Sequence, residues 1–135
     1  MRMNKPLQNI LLVEDDADIQ AVGQLALEAV GGFDVQVCSS GQEALQRVDS
    51  YTPDLILLDV MMPGMDGLTT LEALRLKPRV LTTPVIFMTA KVQAHEITRY
   101  KELGALDVIS KPFDPMTLSQ TIYEIWHNME KEQSR

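Results

Sequence analysis

Apolar and polar residues occur in alternating blocks along the chain, and the blocks predict strands that alternate with helices. The strands are short apolar runs with few polar breaks, a pattern typical of strands buried on both faces of a sheet. Apolar residues at helical spacing follow each run, which predicts five helices. The five predicted strands are Leu7–Val13, Phe33–Val37, Leu55–Leu58, Val85–Met88 and Leu106–Ile109.

Residues that cap or break helices mark the ends of several of these helices. The first helix is predicted to end at Val30, because two glycines follow it. The fourth is predicted over about 92–103, before Gly104. Asp114 is a good N-cap for the last helix, and Pro115 suits its first position, where the missing N–H of proline costs nothing.

Strict alternation of strands and helices predicts an α/β fold, a doubly wound parallel sheet with right-handed crossovers and helices on both faces. The flavodoxin-like fold of this class has five strands in the order 2-1-3-4-5, and we adopt that order from the fold class because the residues do not determine it. Ligands of such sheets bind beyond the carboxyl ends of the strands, where the strand order reverses. In the adopted order, strands one and three are neighbours at that point.

Length and charge restrict the classes of function. With 135 residues, the chain suits one domain with a single core, which we place at about 7–128, and we expect no output domain within 1–135. The net charge of −7 argues against binding to nucleic acid or to an acidic membrane surface. One cysteine, no signal peptide and no apolar run of about 18 residues favour a cytoplasmic location.

Polar residues stand where four of the predicted strands end. Glu14 and Asp15 follow the first strand, Asp59 the third, Thr89 the fourth and Lys111 follows the fifth. Three crowded carboxylates repel one another, and a divalent cation such as Mg²⁺, which prefers oxygen ligands, relieves the repulsion. A carboxylate can also act as a nucleophile and form an aspartyl phosphate, with the lysine and the hydroxyl stabilising the transferred group. We therefore predict a Mg²⁺-dependent phosphoryl-transfer site on Asp59.

The motifs around these residues resemble those of bacterial two-component response-regulator receiver domains, and especially the single-domain chemotaxis-type regulators. Thr89 follows Asp59 by 30 positions and Lys111 follows Thr89 by 22, which is the spacing of that family. The similarity extends from about Leu7 to Asn128. Its four motifs are LLVEDD (11–16), LLDVMMPGMDG (57–67), PVIFMTA (84–90) and GALDVISKPFD (104–114).

The resemblance implies a phosphorelay role in which Asp59 accepts a phosphoryl group from a sensor histidine kinase or a phosphotransfer protein. It implies that Asp15 and Asp59 bind Mg²⁺ directly, that the backbone carbonyl of Met61 completes the metal shell, and that Glu14 reaches the metal through water. A receiver domain of this kind is a signalling module and catalyses only its own phosphorylation and dephosphorylation.

The resemblance also assigns the remaining residues and the output. Thr89 corresponds to the switch hydroxyl, Lys111 to the lysine that contacts the phosphoryl group, and Lys111–Pro112 to a cis peptide bond. Val108 departs from the family, which often has an aromatic ring there that moves with the hydroxyl, so the usual aromatic switch cannot operate. The output is expected to be contact with an unknown downstream protein through the face formed by helix four, strand five and helix five. Phosphorylation-dependent dimerisation stays open.

Three alternatives remain at this point. A Mg²⁺-dependent phosphatase would need a proton donor two residues after the nucleophile, where this chain has Met61. Because neither Met61 nor Lys91 offers a carboxylate or amide to orient water, we predict slow self-dephosphorylation, with a phosphoryl lifetime of minutes or longer. A flavodoxin-like cofactor binder would need a phosphate loop after the first strand, where an acidic run instead repels phosphate. A piece of a longer regulator or hybrid kinase would have this same sequence.

Overall fold

The computed structural model describes residues 6–90 and 92–133, and its order of elements is that of an alternating α/β domain. The strands are β1 (Asn9–Val13), β2 (Asp34–Cys38), β3 (Leu55–Asp59), β4 (Val85–Thr89) and β5 (Asp107–Ser110). The helices are α1 (Ala17–Leu25, continued by a π-helical turn over Ala26–Val30), α2 (Gly41–Arg47), α3 (Gly67–Leu74), α4 (Ala94–Glu102) and α5 (Leu118–Gln133), with a 3₁₀ turn at Pro78–Val80.

The five strands form one sheet in the order β2-β1-β3-β4-β5, and every neighbouring pair is parallel. The flavodoxin-like fold is therefore confirmed. In the register of the sheet, Val13 lies beside Leu58, and Asp59 lies beside Met88. Because all strands run the same way, their carboxyl ends share one edge, and the strand order reverses between β1 and β3.

Alternate residues of the strands supply two apolar layers, one on each face of the sheet. On one face the strand residues pack against α2, α3 and α4, and on the other they pack against the π-helical turn and α5. Every residue of β3 and β4 is buried, which explains why these strands read as continuous apolar runs. These two buried strands therefore hold in place the part of the carboxyl edge that carries Asp59 and Thr89.

The first helix reaches Val30 as predicted, but only part of the apolar stripe that its sequence predicts (Ile19, Val22, Leu25, Ala26, Ala29 and Val30) faces the core; Ala26 is buried, whereas Val22 is exposed. Gly23 and Leu27 are buried, whereas Leu25, an apolar residue in the predicted stripe, is 65% exposed. A Cβ atom at position 23 would lie 3.1 Å from Leu12, so the glycine lets the helix approach the sheet closely. The wider π-helical turn then moves Leu27 into the core.

Two helices begin later than the sequence predicts. The fourth helix begins at Ala94, and the fifth begins at Leu118. Asp114 does accept a hydrogen bond, 2.8 Å from the N–H of Met116, but residues 115–117 form a turn before the helix starts. The sequence therefore predicted the hydrogen bond accepted by Asp114, but it placed the start of the fifth helix three residues too early.

A buried tyrosine fills the corner between α4 and β5. Tyr100 of α4 is buried, and its ring meets Phe87 edge-on with 5.3 Å between the ring centroids. Val108 of β5 lies beside Phe87 in the sheet and packs against the same cluster. Helix α4 thus supplies the aromatic ring in a corner where β5 has only a valine.

Candidate functional site

Three carboxylates meet at the edge of the sheet where the strand order reverses. Glu14 and Asp15 follow β1, and Asp59 is the last residue of β3. One oxygen from each carboxylate lies within 4.8 Å of the other two. Glu14 is 0% exposed and Asp59 is 1% exposed, whereas Asp15 lies at the exposed rim. The predicted cluster is therefore assembled, and its hard oxygen donors suit a cation such as Mg²⁺.

Lys111 reaches this cluster from the end of β5. Its Nζ lies 2.9 Å from Glu14 Oε1 and 3.1 Å from Asp59 Oδ1. Burial alone would lower the pKa of Lys111, but its contacts with these two carboxylates outweigh burial and raise the pKa. The lysine therefore stays charged and compensates only part of the negative charge of three carboxylates.

The pKa of the Glu14 carboxyl responds first to its burial and then to that excess of negative charge. Burial raises its pKa, and the neighbouring Asp59 raises it further, while Lys111 acts in the opposite direction. The pKa of Glu14 is raised on balance. A group in such a place favours either a proton or a second cation, so the edge of the sheet is a place where a metal ion would be stabilised.

Backbone groups orient two of the three carboxylates. The N–H of Met61 donates to Asp59 Oδ1 at 3.2 Å, and the N–H of Asp16 donates to Glu14 Oε2 at 3.3 Å. The Met61 side chain itself is 75% exposed and faces solvent. The loop that follows β3 therefore contributes backbone groups to the site.

Thr89 lies one strand away from Asp59. It is the last residue of β4 and is buried, and its carbonyl accepts a hydrogen bond from the backbone N–H of Lys111 at 2.9 Å. The peptide bond between Lys111 and Pro112 is cis, which confirms the prediction. Thr89 and Lys111 are thus joined through the backbone at the carboxyl ends of β4 and β5.

A close approach of two backbone segments explains the Asp-Gly pair that follows the loop. Asp66 caps α3 by accepting from the N–H of Thr69 at 2.8 Å, and this bond lowers the pKa of Asp66. The N–H of Gly67 donates to the carbonyl of Val60 at 2.9 Å. A Cβ atom at position 67 would collide with the carbonyl oxygen of Asp59, so only glycine fits.

One polar side chain near the site escaped the sequence analysis. Gln20, in the first turn of α1, donates from Nε2 to the carbonyl oxygen of Glu14 and to Ser39 Oγ. The sequence carries only a weak signal for this contact, a polar residue that directly follows Ile19 on the first helix. Its partners lie in two different loops, and only the fold brings them together.

Three carboxylates and a lysine thus lie at the switch point of a doubly wound parallel domain, which is where sheets of this class bind their ligands. Residues 10–123 match the model of the response regulator receiver domain, and the chain belongs to that family. The resemblance noted from the motifs is therefore confirmed. Membership implies interaction with histidine kinases or phosphotransfer proteins.

Two curated relatives show the extent of the match. The probable C4-dicarboxylate response regulator DctR of Priestia megaterium is 37% identical over 121 residues, which cover 89% of this chain and 52% of that protein. The alkaline phosphatase synthesis transcriptional regulatory protein PhoP of Bacillus subtilis is 38% identical over 128 residues, covering 95% and 51%. The chain spans about half the length of these relatives.

Two solved structures share the fold. The chemotaxis response regulator CheY4 of Vibrio cholerae has a TM-score of 0.81 and 28% identity, with 89% of this chain and 99% of that chain covered. A response regulator structure from Chloroflexus aurantiacus has a TM-score of 0.79 and 33% identity, with 91% and 99% covered. Among the described residues, no helix combines the length and the apolar character that crossing a membrane requires.

Proposed function

We propose that Asp59 accepts a phosphoryl group from a phosphohistidine of a sensor kinase or phosphotransfer protein. An Asp59 carboxylate oxygen forms the new bond to phosphorus while the bond from phosphorus to the histidine nitrogen breaks. The electron pair of the broken bond leaves with the imidazole, which takes up a proton. Such a transfer depends mainly on position and on stabilisation of charge, because its transition state is loose and its charge is spread over the phosphoryl oxygens.

The observation that carries this proposal is the meeting of Asp59 with two further carboxylates and one lysine at the carboxyl edge of the sheet. Three carboxylate oxygens within 4.8 Å of one another form a donor set that fits Mg²⁺. Asp15 and Asp59 would bind the ion directly, the carbonyl of Met61 would complete the shell, and Glu14 would reach it through water. When bound, Mg²⁺ neutralises negative charge on the phosphoryl oxygens.

The remaining two residues act on the phosphoryl group. Lys111, whose Nζ lies 3.1 Å from Asp59 Oδ1, would move its charge from that carboxylate to a phosphoryl oxygen. The hydroxyl of Thr89 would donate a hydrogen bond to another of these oxygens. Both residues come from strands that follow β3 in the sheet, so the group would be contacted from the side opposite β1.

Intact mass after incubation with acetyl phosphate and Mg²⁺ tests the acceptor and the metal together. We expect wild type to gain one phosphoryl group, and Asp59→Asn to gain none, because the amide cannot act as the nucleophile. Wild type in EDTA should also gain none. Asp54→Asn is a matched control, since Asp54 is a buried carboxylate just before β3 that accepts from the N–H groups of Gln8 and Asn9.

Two results would contradict the acceptor assignment. One is a wild-type chain that gains no mass with the metal present, and the other is an Asp59→Asn chain that gains as much as wild type. Loss of phosphorylation in Asp54→Asn would indicate damage to the fold instead, which circular dichroism would detect. Asp54→Asn keeps a carbonyl oxygen as an acceptor, so we expect its fold to persist.

We further propose that residues 1–135 act as one receiver domain in the cytoplasm and that its output is contact with a downstream protein, with or without phosphorylation-dependent dimerisation. The contact face would consist of α4, β5 and α5. Since Val108 has no ring to move, the signal would depend on Thr89 and on the corner that Tyr100 fills. Phosphorylation-dependent changes in amide exchange confined to this face would support the assignment.

The phosphoryl group on Asp59 is proposed to be long-lived, with a lifetime of minutes or longer. The residue two positions after the acceptor is Met61, an exposed thioether that neither donates a proton nor orients water. This also argues against a phosphatase with an aspartyl-phosphate intermediate. Lys91, the other residue in this prediction, lies outside the described residues. Loss of the phosphoryl mass within seconds, with no phosphatase added, would contradict the proposal.

A further inference from the structure

The loop that carries two of the three carboxylates is held by a side chain outside the cluster. Residues 14–16 connect β1 to α1, and Gln20 lies one turn into that helix, half-buried. The Gln20 Nε2 donates to the carbonyl oxygen of Glu14 and, at 3.0 Å, to Ser39 Oγ. A side-chain amide has two N–H groups, so it can make both bonds at once.

The second partner of Gln20 belongs to a loop that is anchored on its own. The N–H of Ser39 donates to Glu43 Oε1 at 2.7 Å, which ties the loop after β2 to the first turn of α2. Just before it, the carbonyl of Cys38 accepts from the N–H of Glu14 at 3.0 Å. The loop after β2 is therefore held in place by its own hydrogen bonds, and Gln20 links it to residues 14–16, which we call the acidic loop.

A link of this kind stabilises the acidic loop, because the carboxylates of Glu14 and Asp15 repel each other and the carboxylate of Asp59. One oxygen each from Glu14, Asp15 and Asp59 lie within 4.8 Å of one another. Among the described residues, Lys111 is the one cation that forms ion pairs with this cluster. Glu14 and Asp59 are buried, whereas Asp15 is exposed, so the repulsion favours an outward movement of the segment at Asp15. A hydrogen bond to the carbonyl directly before Asp15 opposes that movement.

We propose that Gln20 is a positioning residue for the cation site, holding the Glu14–Asp15 segment where both carboxylates face Asp59. The inference rests on the proposed function, since it takes Mg²⁺ as the ligand. Gln20 does not contact the metal position itself. Its effect reaches the site through the backbone of Glu14, in the way that outer-shell partners orient metal ligands.

The test replaces Gln20 with a side chain of similar shape that cannot donate. Gln20→Met removes both N–H groups, and Gln20→Arg keeps N–H donors on a long side chain. Gln24→Met is the matched control, because Gln24 lies one turn further along α1 and its Nε2 donates to Glu28 Oε2, at 3.3 Å on the surface and away from the acidic loop. Each variant is titrated with Mg²⁺ alone, followed by ¹H–¹⁵N NMR shifts, and its unfolding midpoint is measured in EDTA.

We expect Gln20→Met to weaken Mg²⁺ binding about tenfold, the lower end of the range for loss of an outer-shell partner. Gln24→Met should bind Mg²⁺ as wild type does, and Gln20→Arg should recover most of the affinity. The rate of phosphorylation by acetyl phosphate should show the same split. In Gln20→Met, the Mg²⁺ concentration for half-maximal rate should rise about tenfold, while the rate at saturating Mg²⁺ stays within about twofold of wild type.

Two outcomes overturn the positioning role and leave the proposed function intact. One is Gln20→Met binding Mg²⁺ as tightly as wild type. The other is a loss of affinity that accompanies a fall in the EDTA unfolding midpoint and a lower rate at saturating Mg²⁺, because that pattern indicates a structural role in α1. If wild type itself shows no Mg²⁺-dependent shift, the proposed function fails, and the inference about Gln20 fails with it.

Discussion

Replacing Lys111 with methionine measures how much the stability of the domain depends on one buried cation. The Nζ of Lys111 lies about 3 Å from each of two carboxylates, Glu14 and Asp59. At an effective dielectric constant of about 20, each contact is worth roughly 5 kcal/mol of Coulomb attraction, most of which offsets the cost of burying the charges. Removing one partner from a buried group of charges costs about 3–5 kcal/mol.

We take the lower figure, about 3 kcal/mol, because the Lys111 side chain is 15% exposed and the third carboxylate, Asp15, lies at the rim. For a domain of this size, that loss lowers the melting temperature by about 12 °C. Urea unfolding at pH 7 in EDTA, followed by the fluorescence of Trp126, the chain's one tryptophan, gives the free energy of unfolding directly.

Lys77→Met provides the matched control. Lys77 Nζ lies 2.7 Å from Asp49 Oδ1, closer than either contact of Lys111, but the two side chains are 31% and 66% exposed. An exposed pair of this kind contributes less than about 1 kcal/mol. Equal losses in Lys77→Met and Lys111→Met, or no loss in Lys111→Met, would refute the reasoning that burial decides the energy.

The pH and the metal give two further checks on Lys111→Met. The pKa of Glu14 is already raised in wild type, so this group favours the folded state at low pH, and the favourable effect is lost as pH rises through its raised pKa. Without the lysine the pKa of Glu14 rises further, and the stability of the variant should fall more steeply with rising pH than that of wild type. Added Mg²⁺ should stabilise the variant more than wild type, because the ion replaces the missing positive charge.

Three other changes have expected outcomes. Tyr100→Ala should lower the free energy of unfolding by about 3–5 kcal/mol, because a buried ring is lost. Tyr100→Phe should cost less than about 1 kcal/mol, since the hydrogen bond from the hydroxyl to Glu96 is long, at 3.5 Å; similar losses in urea unfolding of both variants would contradict this. Burial raises the pKa of the Cys38 thiol to about 11, so iodoacetamide at pH 8 should modify the protein only after unfolding; rapid alkylation of the native chain, read by mass, would contradict this. The free energy of unfolding should also fall between pH 9 and 11, because the thiol of the unfolded chain ionises first. Gly67→Ala should cost about 1–3 kcal/mol and slow phosphorylation, because the added methyl group meets the Asp59 backbone; a wild-type unfolding curve and rate would contradict it.

The convergence of the carboxylates could be predicted from parallel chain direction once the strand order had been adopted from the fold class. Glu14, Asp15 and Asp59 end strands that are parallel and adjacent, so any register that pairs the apolar runs brings these residues to one edge. Their distances and the contacts of Lys111 needed the structure. The roles of these residues in binding Mg²⁺ and phosphate stay predictions.

The first helix shows why apolar periodicity is an incomplete guide to the core. Val22 and Leu25 belong to the predicted stripe and yet are exposed, while Gly23 between them faces the sheet. Glycine carries no apolar signal, but its small size lets the helix backbone approach Leu12. A glycine at a helix–sheet contact is therefore invisible to a search for apolar side chains.

The hydrogen bonds of the Gln20 side chain could not be predicted, because they depend on loops that only the fold brings together. Its two partners, Glu14 and Ser39, lie 6 and 19 positions away in loops after different strands. No regular spacing connects three such positions. The ring contact between Tyr100 and Phe87 is a similar case, because periodicity places Tyr100 on the apolar face of helix four but does not identify its partner in β4.

The contact between Glu14 and Lys111 joins residues that are 97 positions apart. During synthesis, Asp59, the proposed acceptor, is made 52 positions before Lys111, the lysine that offsets part of the charge of the carboxylates. The reactive edge is completed only when β5 joins the sheet. The proposed phosphorylation of Asp59 would therefore require β5 to have been made and added to the sheet, and phosphorylation of a newly made chain would mark a sheet that includes β5.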